Sequence, residues 1–562
     1  MVSQLIVTEN YSEEDTLKTV KYFLKSELSL TNKDLEALNL SLLSTTINTR
    51  LIEPQITITY EVTGLDLNIR RVIVENRVLL RDAEINNMEY MMTNKKDLWI
   101  LTEERPKDSV LQTIIGRFCQ DYKIGFFANP LRIIPLIKDE KFTFSYQILG
   151  IDSPNIGNVY VKTVSGSSSF VDFLVYFQEH EPVPADIPLY AIEETKTDDS
   201  ESRNTGVYQR CTKFVYIDYF YTDVKKIMLY DLQITQKEIP TQTNIFGSRL
   251  MATCGVEVVG KVQTDEQGQA FDSIDELIQY KNSMRKPPGN NVPIDITRYS
   301  DRIEVSGRLV KCGRLSHDPN IGALTIIAKA LRVLGWEKDI VITRHGLAQN
   351  MLTTRNKFIH IANRLDIKLQ GLDIPKNIEH INYWRYEDKG EKLATIFIHL
   401  VVESFTRGYS IFENHAGCEK SYFANSNGDV VPLVKYSDRN AYKDGDKSKI
   451  AHIPDLILVD VERLQIINIE GKTYKNRFNG IDELLNYDFI EDTYIRPQYP
   501  KYSIQRTVVV YGSKETEILE IEVSFMLNEK GQMILGIQAP QLFNQAISNL
   551  LDYWTHKNPS LH

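Results

Sequence analysis

Strand-length and helix-length apolar patterns alternate along both halves of this chain. The first half carries the strand patterns FTFSYQILGI, NVYVKTV and FVDFLVYF, and a helix pattern over 207–221 follows them. The second half opens with the strand pattern DRIEVSGRLV and continues with the apolar helix pattern ALTIIAKALRVLGW. Chains in which strands and helices interleave fold into sheets covered by helices. We therefore predict an α/β fold.

The length of 562 residues exceeds what one hydrophobic core normally organises, so we expect several domains. The strongest linker pattern is Lys286–Pro293 (KPPGNNVP), which divides the chain into halves of similar size. The formal net charge of −10 excludes a globally basic nucleic-acid coat but leaves a local basic groove open. No apolar run reaches the roughly 18 residues of a membrane span. The five cysteines are scattered, as expected for a protein of the reducing cytoplasm.

The most specific pattern lies where the chain reads HIPDLILVDVERLQIINIEGKTYK. Asp455 follows a proline at the head of an apolar strand pattern, and a short turn leads to a second strand pattern. That second pattern ends with Glu470, Gly471 and Lys472. Alternation along a strand places Glu470 and Lys472 on one face, and a hairpin brings Asp455 opposite them. We therefore expect two carboxylates and an amine to meet at one sheet edge.

This set of side chains suits metal-dependent hydrolysis of a phosphodiester. The reaction needs an activated water and stabilisation of a transition state with extra negative charge. Asp455 and Glu470 are expected to hold Mg²⁺ through oxygen, and the carbonyl of Gly471 to add a third oxygen ligand. Lys472 is expected to orient the attacking water and to favour its hydroxide form.

The dipeptide PD, fourteen further residues and then EGK at 470–472 resemble the PD-(D/E)xK motif of restriction endonucleases and related nucleases. The resemblance implies two restriction-endonuclease-like mixed sheets flanked by helices. It implies the activity of a Mg²⁺-dependent type II site-specific deoxyribonuclease. It also implies a supporting glutamate on a helix ahead of the motif, for which Glu403 in ATIFIHLVVESF is the candidate.

A weaker form of the pattern occurs in the first half. Asp172 lies within the apolar pattern SSSFVDFLVYF, and LYAIEETKT carries Glu194 and Lys196 two residues apart. We predict that these three residues form a second catalytic centre, in which Asp172 and Glu194 bind Mg²⁺. The sequence does not fix the register of Glu193 against Glu194. The alternative is a half-buried hairpin with exposed charges.

Two centres have a consequence for the substrate. One hydrolytic centre cuts one DNA strand, so a chain with two centres cuts both strands as a monomer, whereas a chain with one must dimerise. The chain resembles those type II restriction endonucleases that recognise asymmetric sequences with one centre per strand in one polypeptide. That resemblance implies double-stranded DNA as the partner and a cognate DNA methyltransferase that protects the host.

The segment Thr343–Leu365 (TRHGLAQNMLTTRNKFIHIANRL) contains no acidic residue. Asn and Gln side chains pair with adenine, and Arg pairs with guanine, in the major groove. The preceding apolar helix pattern would support this segment like the first helix of a helix-turn-helix motif. The alternative is an amphipathic helix pair with a basic face in solvent. The candidate DNA contacts are Arg344, His345, Gln349, Asn350, Arg355, Lys357 and Arg364.

These patterns predict four regions. They are an N-terminal α+β region over 1–130 with DNA recognition as its candidate role, nuclease domains over 131–285 and 391–562, and a helical, basic DNA-recognition region over 294–390. Three functions stay open: a sequence-specific endonuclease, the nuclease subunit of a transposition, repair or recombination complex, and a non-catalytic DNA-binding protein with a nuclease-like fold. No nucleotide is expected, because the phosphate-loop look-alike at 255–261 has Val262 where Ser or Thr must bind magnesium.

Overall fold

The computed structural model describes most of the chain between residue 96 and residue 557 and parts of the first 77 residues. The described ranges are 2–7, 20–21, 24–25, 30–48, 55–63, 71–77, 96–125, 127–153, 155–166, 171–195, 206–221, 223–230, 242–260, 266, 268–285, 294–311, 313–315, 319–376, 386–387, 390–413, 420–424, 430–434, 452–513 and 517–557. The predicted linker at 286–293 and Lys196 lie outside these ranges.

The described strands alternate with helices, as the interleaved patterns predict. In chain order they are β1 Val2–Val7, β2 Asn39–Asn48, β3 Gln55–Thr63, β4 Arg71–Arg77, β5 Lys96–Thr102, β6 Phe127–Lys138, β7 Lys141–Asp152, β8 Ile156–Thr163, β9 Ser165–Gly166, β10 Phe173–Gln178, β11 Tyr190–Thr195, β12 Lys225–Tyr230, β13 Val256–Gly260, β14 Ile296–Arg298, β15 Arg302–Ser306, β16 Val310–Lys311, β17 Arg314–Leu315, β18 Asp339–Thr343, β19 Ile367–Leu369, β20 Tyr386–Glu387, β21 Tyr409–Glu413, β22 Lys420–Ala424, β23 Val430–Val434, β24 Leu456–Asp460, β25 Gln465–Thr473, β26 Ser503–Tyr511, β27 Val523–Leu527 and β28 Met533–Leu535.

Most of the longer described α-helices bury apolar residues against the rest of the fold. The described α-helices are α1 Asn32–Ala37, α2 Asp108–Asp121, α3 Gly206–Phe220, α4 Gln242–Thr253, α5 Ile274–Ser283, α6 Pro319–Val333, α7 Lys357–Arg364, α8 Lys392–Phe405, α9 Arg477–Leu484, α10 Asp488–Ile490 and α11 Gln541–Lys557. Within the described ranges, no helix has the length and apolar character that crossing a membrane requires.

Two of the sheets contain the same five-strand arrangement. In the first sheet, β10 pairs antiparallel with β5 and β11, and β12 and β13 continue the sheet in parallel. In the second sheet, β24 pairs antiparallel with β21 and β25, and β26 and β27 continue it in parallel. The strands β6, β7 and β8 extend the first sheet, and β28 ends the second. The predicted α/β class with mixed sheets flanked by helices is therefore confirmed.

The first sheet begins upstream of the boundary predicted at residue 130. That boundary falls within β6, and β5 lies in the middle of the sheet between β8 and β10. Strand β5 is the antiparallel neighbour of β10, which begins directly after Asp172. The sheet that contains Asp172 therefore includes residues before 130. The two sheets also share one hydrophobic core. At their junction the rings of Phe142 and Phe397 lie 4.7 Å apart, and the Phe142 N–H donates to the Gly531 carbonyl at 2.8 Å.

A third sheet occupies 296–369. Its strands β15, β18 and β19 are parallel, β14 adds an antiparallel edge, and helices α6 and α7 connect the parallel strands. Helix α6 packs closely against α3, since a Cβ placed on Gly322 would lie 1.8 Å from the carbonyl oxygen of Tyr208. The expected helical region at 294–390 is thus an α/β unit. A fourth sheet, in the order β1-β4-β3-β2, lies in the first 77 residues.

Candidate active site

Asp455 and Glu470 occupy neighbouring positions on one face at the end of the β24–β25 hairpin. Leu456 lies opposite Ile469 in the antiparallel register, which places Asp455 opposite Glu470 one step further out. The Gly471 N–H donates to Asp455 Oδ2 at 2.9 Å. The hairpin predicted from the sequence therefore forms, and it brings the two acids together.

Lys472 and Tyr487 hold the two oxygens of the Glu470 carboxylate. The Lys472 ammonium pairs with Glu470 Oε1, and it also lies 3.3 Å from Glu483 Oε2. The Tyr487 hydroxyl, buried just beyond α9, donates to Glu470 Oε2. Glu483 and Tyr487 were not predicted from the sequence, since only the packing of α9 on β25 brings them to this edge.

Two glycines let the flanking helices approach this edge. A Cβ on Gly471 would lie 2.3 Å from Thr395 Oγ1 and 3.3 Å from Asp455 Oδ2. A Cβ on Gly480 would lie 2.8 Å from Lys472 Cγ, so α9 closes on the lysine only because residue 480 has no side chain. Among the residues that the structure describes, none hydrogen-bonds the buried Thr395 Oγ1. A polar oxygen therefore lies beside the acids without a protein partner.

The site holds more negative than positive charge. Burial raises the pKa of Asp455, and the charges of Glu391 and Glu483 raise it further. Burial likewise raises the pKa of Glu470, and the neighbouring charge of Asp455 adds to the shift. One amine, Lys472, does not balance these acids. A divalent cation would stabilise the ionised carboxylates and offset the excess negative charge.

The residues present fit a hard cation. Asp455 and Glu470 offer carboxylate oxygens, and the orphan hydroxyl of Thr395 is a further oxygen nearby. Within the described ranges, no group of three or more His, Cys, Asp or Glu side chains is arranged to hold a metal. A cation bound by these two acids would therefore complete its coordination with water, as Mg²⁺ usually does, or with substrate oxygens.

Glu403 lies at the other end of α8, away from this edge. It is eight residues from Thr395, which is about 12 Å along a helix axis. Its carboxylate accepts from the Ser410 hydroxyl at 2.8 Å and lies 3.1 Å from His399 Nε2, and it pairs with Arg105. Burial opposes ionisation, but the contacts with His399 and Arg105 outweigh it and hold the pKa of Glu403 well below its usual range. The structure does not bring the predicted supporting acid to the site.

Glu391 is the acid that α8 places near Asp455. It lies at the N-terminal end of the helix, four residues before Thr395, and residues at i and i+4 share one helix face. Its charge helps to raise the pKa of Asp455. The helical period read from Thr395 would have indicated this residue.

Substitutions on α8 should separate the two glutamates. Glu403→Gln is expected to lower the free energy of unfolding by about 2 kcal/mol, because it removes one of the two carboxylates, Glu403 and Glu413, that contact Arg105 and His399. It should leave cation affinity unchanged. Glu391→Gln should weaken cation binding with little change in stability. Urea unfolding and Mn²⁺ titration followed by electron paramagnetic resonance measure both effects. Weaker Mn²⁺ binding in Glu403→Gln would contradict this placement.

The first-half hairpin has the same construction in a different register from the one predicted. Phe173 lies opposite Ile192, which places Asp172 opposite Glu193. The Glu194 N–H donates to Asp172 Oδ2 at 2.7 Å, as the Gly471 N–H does to Asp455. Glu193 therefore holds the position of Glu470. Glu194, predicted as the acid of this centre, points to the opposite face because side chains alternate along a strand.

The amine beside Glu193 comes from a helix. Lys213 of α3 lies 2.7 Å from Glu193 Oε1 and 3.6 Å from Asp172 Oδ1. Arg210, one turn earlier, lies 3.7 Å from Glu193 Oε1. Burial, together with the charge of Asp172, raises the pKa of Glu193 to about 7. Burial disfavours the charged form of Lys213, but Glu193 and Asp172 outweigh it and raise the Lys213 pKa above its usual value.

The predicted DNA-recognition segment is not a helix pair. Strand β18 separates α6 from α7 and pairs in parallel with both β15 and β19. The helix-turn-helix expectation is therefore wrong, because the short apolar pattern DIVIT enters a sheet instead of a turn. The segment forms part of an α/β unit that packs on α3, the helix that carries Lys213.

Several of the seven predicted DNA contacts are engaged within the fold. His345 is buried, accepts the Leu347 N–H at Nδ1 and lies 3.0 Å from the Gln370 carbonyl through Nε2. Gln349 bonds the backbone of Asp373 through both ends of its amide, at 2.8 and 3.0 Å. Lys357 is buried below the ring of Tyr216. Arg344, Asn350, Arg355 and Arg364 are exposed, and the Arg364 guanidinium also lies 5.5 Å from the centre of the Tyr219 ring.

A scan against protein family models found no match to this chain, and searches of curated proteins and of solved structures found none either.

Proposed function

We propose that the chain is a Mg²⁺-dependent DNA endonuclease whose active site contains Asp455, Glu470 and Lys472. The observation that carries this proposal is their convergence at the end of the β24–β25 hairpin, where two acids with raised pKa values face one amine. The PD-(D/E)xK resemblance predicts this trio. The hairpin with a helix on either side, α8 before it and α9 after it, supports the resemblance.

Each side chain has a definable role in phosphodiester hydrolysis. Asp455 and Glu470 hold the cation, and Gly471 fixes the Asp455 carboxylate through its N–H. Bound Mg²⁺ supplies positive charge to the developing transition state and lowers the pKa of a coordinated water. Lys472 orients the attacking water and stabilises its hydroxide form. Tyr487 holds the second oxygen of Glu470, so the carboxylate keeps one orientation.

Double-stranded DNA is the substrate that the proposal names. Near the third sheet, Arg344, Arg355 and Arg364 expose positive charge in a segment without acids. Arginines of this kind bind phosphates and read guanine in the major groove, whereas a chain with a net charge of −10 avoids tight non-specific binding. A sequence-specific enzyme of the type II restriction class, which acts beside a cognate methyltransferase, fits this combination.

A plasmid cleavage assay tests the proposed function. The purified full-length chain should cut supercoiled plasmid in Mg²⁺ and bind it without cutting in Ca²⁺. In excess chelator it should neither linearise nor nick the plasmid. Discrete fragments on linear DNA would establish sequence specificity. Cleavage that depends on branched structure would assign the chain to a repair or recombination complex. Inert binding in Mg²⁺ across a broad panel of DNA would overturn the enzyme proposal.

A further inference from the structure

We propose that Asp172, Glu193 and Lys213 form a second metal-dependent phosphodiester site, in which the amine is supplied by helix α3. This inference rests on the proposed function, because it assigns the same chemistry to a second cluster. It differs from the sequence pattern, which indicates Glu194 and Lys196. With two such sites, one chain would cut both strands of a duplex.

Two sheets of the chain repeat one arrangement of strands. The order and direction of β5, β10, β11, β12 and β13 match those of β21, β24, β25, β26 and β27. In both hairpins the first acid immediately precedes a strand, and the second lies opposite it. In both, the backbone N–H after the second acid donates to Oδ2 of the first, at 2.7 and 2.9 Å. Two hairpins with unlike sequences have thus reached the same arrangement of acids.

The amines of the two clusters come from different elements of the fold. Thr195 holds the register position of Lys472, since Thr195 follows Glu193 as Lys472 follows Glu470. Lys213 nevertheless reaches the second acid and comes within 3.6 Å of the first. An amine that orients a water needs only to reach the space beside the metal ligands, so a helix that covers the strand ends can deliver it as well as the strand can.

Burying these charges has a cost. Glu193 is 2% exposed, and the Lys213 side chain that pairs with it is 21% exposed. A buried ion pair contributes little net stability compared with apolar residues of similar volume, because desolvation offsets its attraction. Nearby, Lys357 is buried too. Burial and the charge of Lys213 lower the pKa of Lys357 to about 8, which favours its neutral form. The cations that contact the acids are Lys213 and Arg210, and they suit a phosphate that approaches bound metal.

The charge balance of the two clusters differs, and this predicts unequal metal affinity. Asp172 and Glu193 are matched by Lys213 and Arg210. The acids of the other centre have one amine among them and two further glutamates nearby. The Asp172 site should therefore need several-fold more Mg²⁺ for half-maximal cutting of its strand than the Asp455 site does.

Matched variants distinguish the structural assignment from the sequence pattern. Glu193→Gln and Lys213→Met should each stop supercoiled plasmid at the open circle, with at least about a hundredfold slower linearisation. The neighbouring changes Glu194→Gln and Lys196→Ala should linearise plasmid at the normal rate. Strand-specific sequencing should place the surviving nicks on the strand opposite to that nicked by Glu470→Gln. Normal linearisation by Glu193→Gln would overturn the inference.

The persistent nick is also the folding control, since only a folded chain retains the other centre. If Glu193→Gln loses both cuts and its cooperative melting, Asp172→Asn replaces it, because asparagine still accepts the Glu194 N–H. Failure of the inference differs from failure of the proposed function. If only the inference fails, wild type cuts DNA and only variants at 455–472 lose cleavage. If the proposed function fails, wild type cuts nothing.

A readout independent of DNA cleavage locates the metal. Fe²⁺ with ascorbate and peroxide cuts a polypeptide next to the bound ion. Fragments should end near 172–193 and near 455–470 in the wild type. Glu193→Gln should lose only the first cut, and Glu470→Gln only the second. Cutting confined to 455–470 in the wild type at saturating Fe²⁺ would show that the Asp172 cluster is a structural ion pair.

Discussion

Glu470→Gln is expected to slow cutting of one DNA strand by about a thousandfold or more, while DNA binding in Ca²⁺ changes less than about threefold. The substitution keeps the shape of the side chain and an oxygen for the Tyr487 hydroxyl. It removes the charge that holds the cation and that pairs with Lys472. Rate enhancement in this chemistry comes mainly from positioning the metal and its water, so the loss should fall on the chemical step.

Glu462→Gln is the matched control for this variant. Glu462 lies in the turn at the far end of the same hairpin, where its half-exposed carboxylate lies 4.0 Å from Arg407. Single-turnover cleavage and fluorescence anisotropy should show a normal rate and normal affinity for this control. A Glu470→Gln enzyme that cuts both strands at the normal rate would remove Glu470 from the proposed active site.

The sequence predicted the parts of the site that depend on local pattern. Alternation and spacing were enough to predict β24, β25 and the meeting of Asp455 with Glu470, because a short turn leaves few ways to pair two adjacent strands. The bounds of helix α3 were predicted within one residue, since its apolar pattern extends over about fifteen residues. These predictions needed no information from distant parts of the chain.

The register of the first hairpin could not be predicted from the sequence. A slip of one residue moves every side chain to the other face, and the long connection between β10 and β11 does not fix the register. The pairing of Phe173 with Ile192 decides that Glu193, and not Glu194, faces Asp172. Lys213 was missed for a related reason. It lies on a helix that begins eleven residues after β11, so only packing of α3 shows that it reaches Glu193.

The helix-turn-helix prediction for the recognition segment was wrong because its strands are short and their partners are distant in the sequence. The five residues of β18 carry no helix-breaking residue, and their place in the sheet depends on β15, which is separated from them by α6. The prediction for Glu403 was wrong because a helix pattern indicates which face of the helix is buried but not which position along its axis lies beside the acids. Arg105, which pairs with Glu403, comes from the segment after β5, almost three hundred residues earlier.

Asp455→Asn is expected to raise the free energy of unfolding of the metal-free protein by about 1–2 kcal/mol at pH 8, although it should abolish cutting. Folding raises the pKa of Asp455, so the folded chain favours the protonated carboxyl. The stability linked to this proton is fully present below the unfolded pKa of about 4, and it is lost as pH rises through the raised value. Asparagine is uncharged at every pH and still accepts the Gly471 N–H.

Urea unfolding in chelator from pH 5 to pH 8 measures this effect. The advantage of Asp455→Asn should shrink towards pH 5, where the wild-type carboxyl is increasingly protonated in the folded state. Excess Mg²⁺ should stabilise the wild type and leave the variant unchanged, because bound cation removes the cost of ionisation only where a carboxylate is present. Asp460→Asn, at the other end of β24, should have the opposite effect on stability. Asp460 accepts a hydrogen bond from Arg463 at 2.9 Å, so loss of its charge should lower the free energy of unfolding. A metal-free Asp455→Asn protein less stable than wild type at pH 8 would show that this aspartate stabilises the fold instead of serving a bound cation.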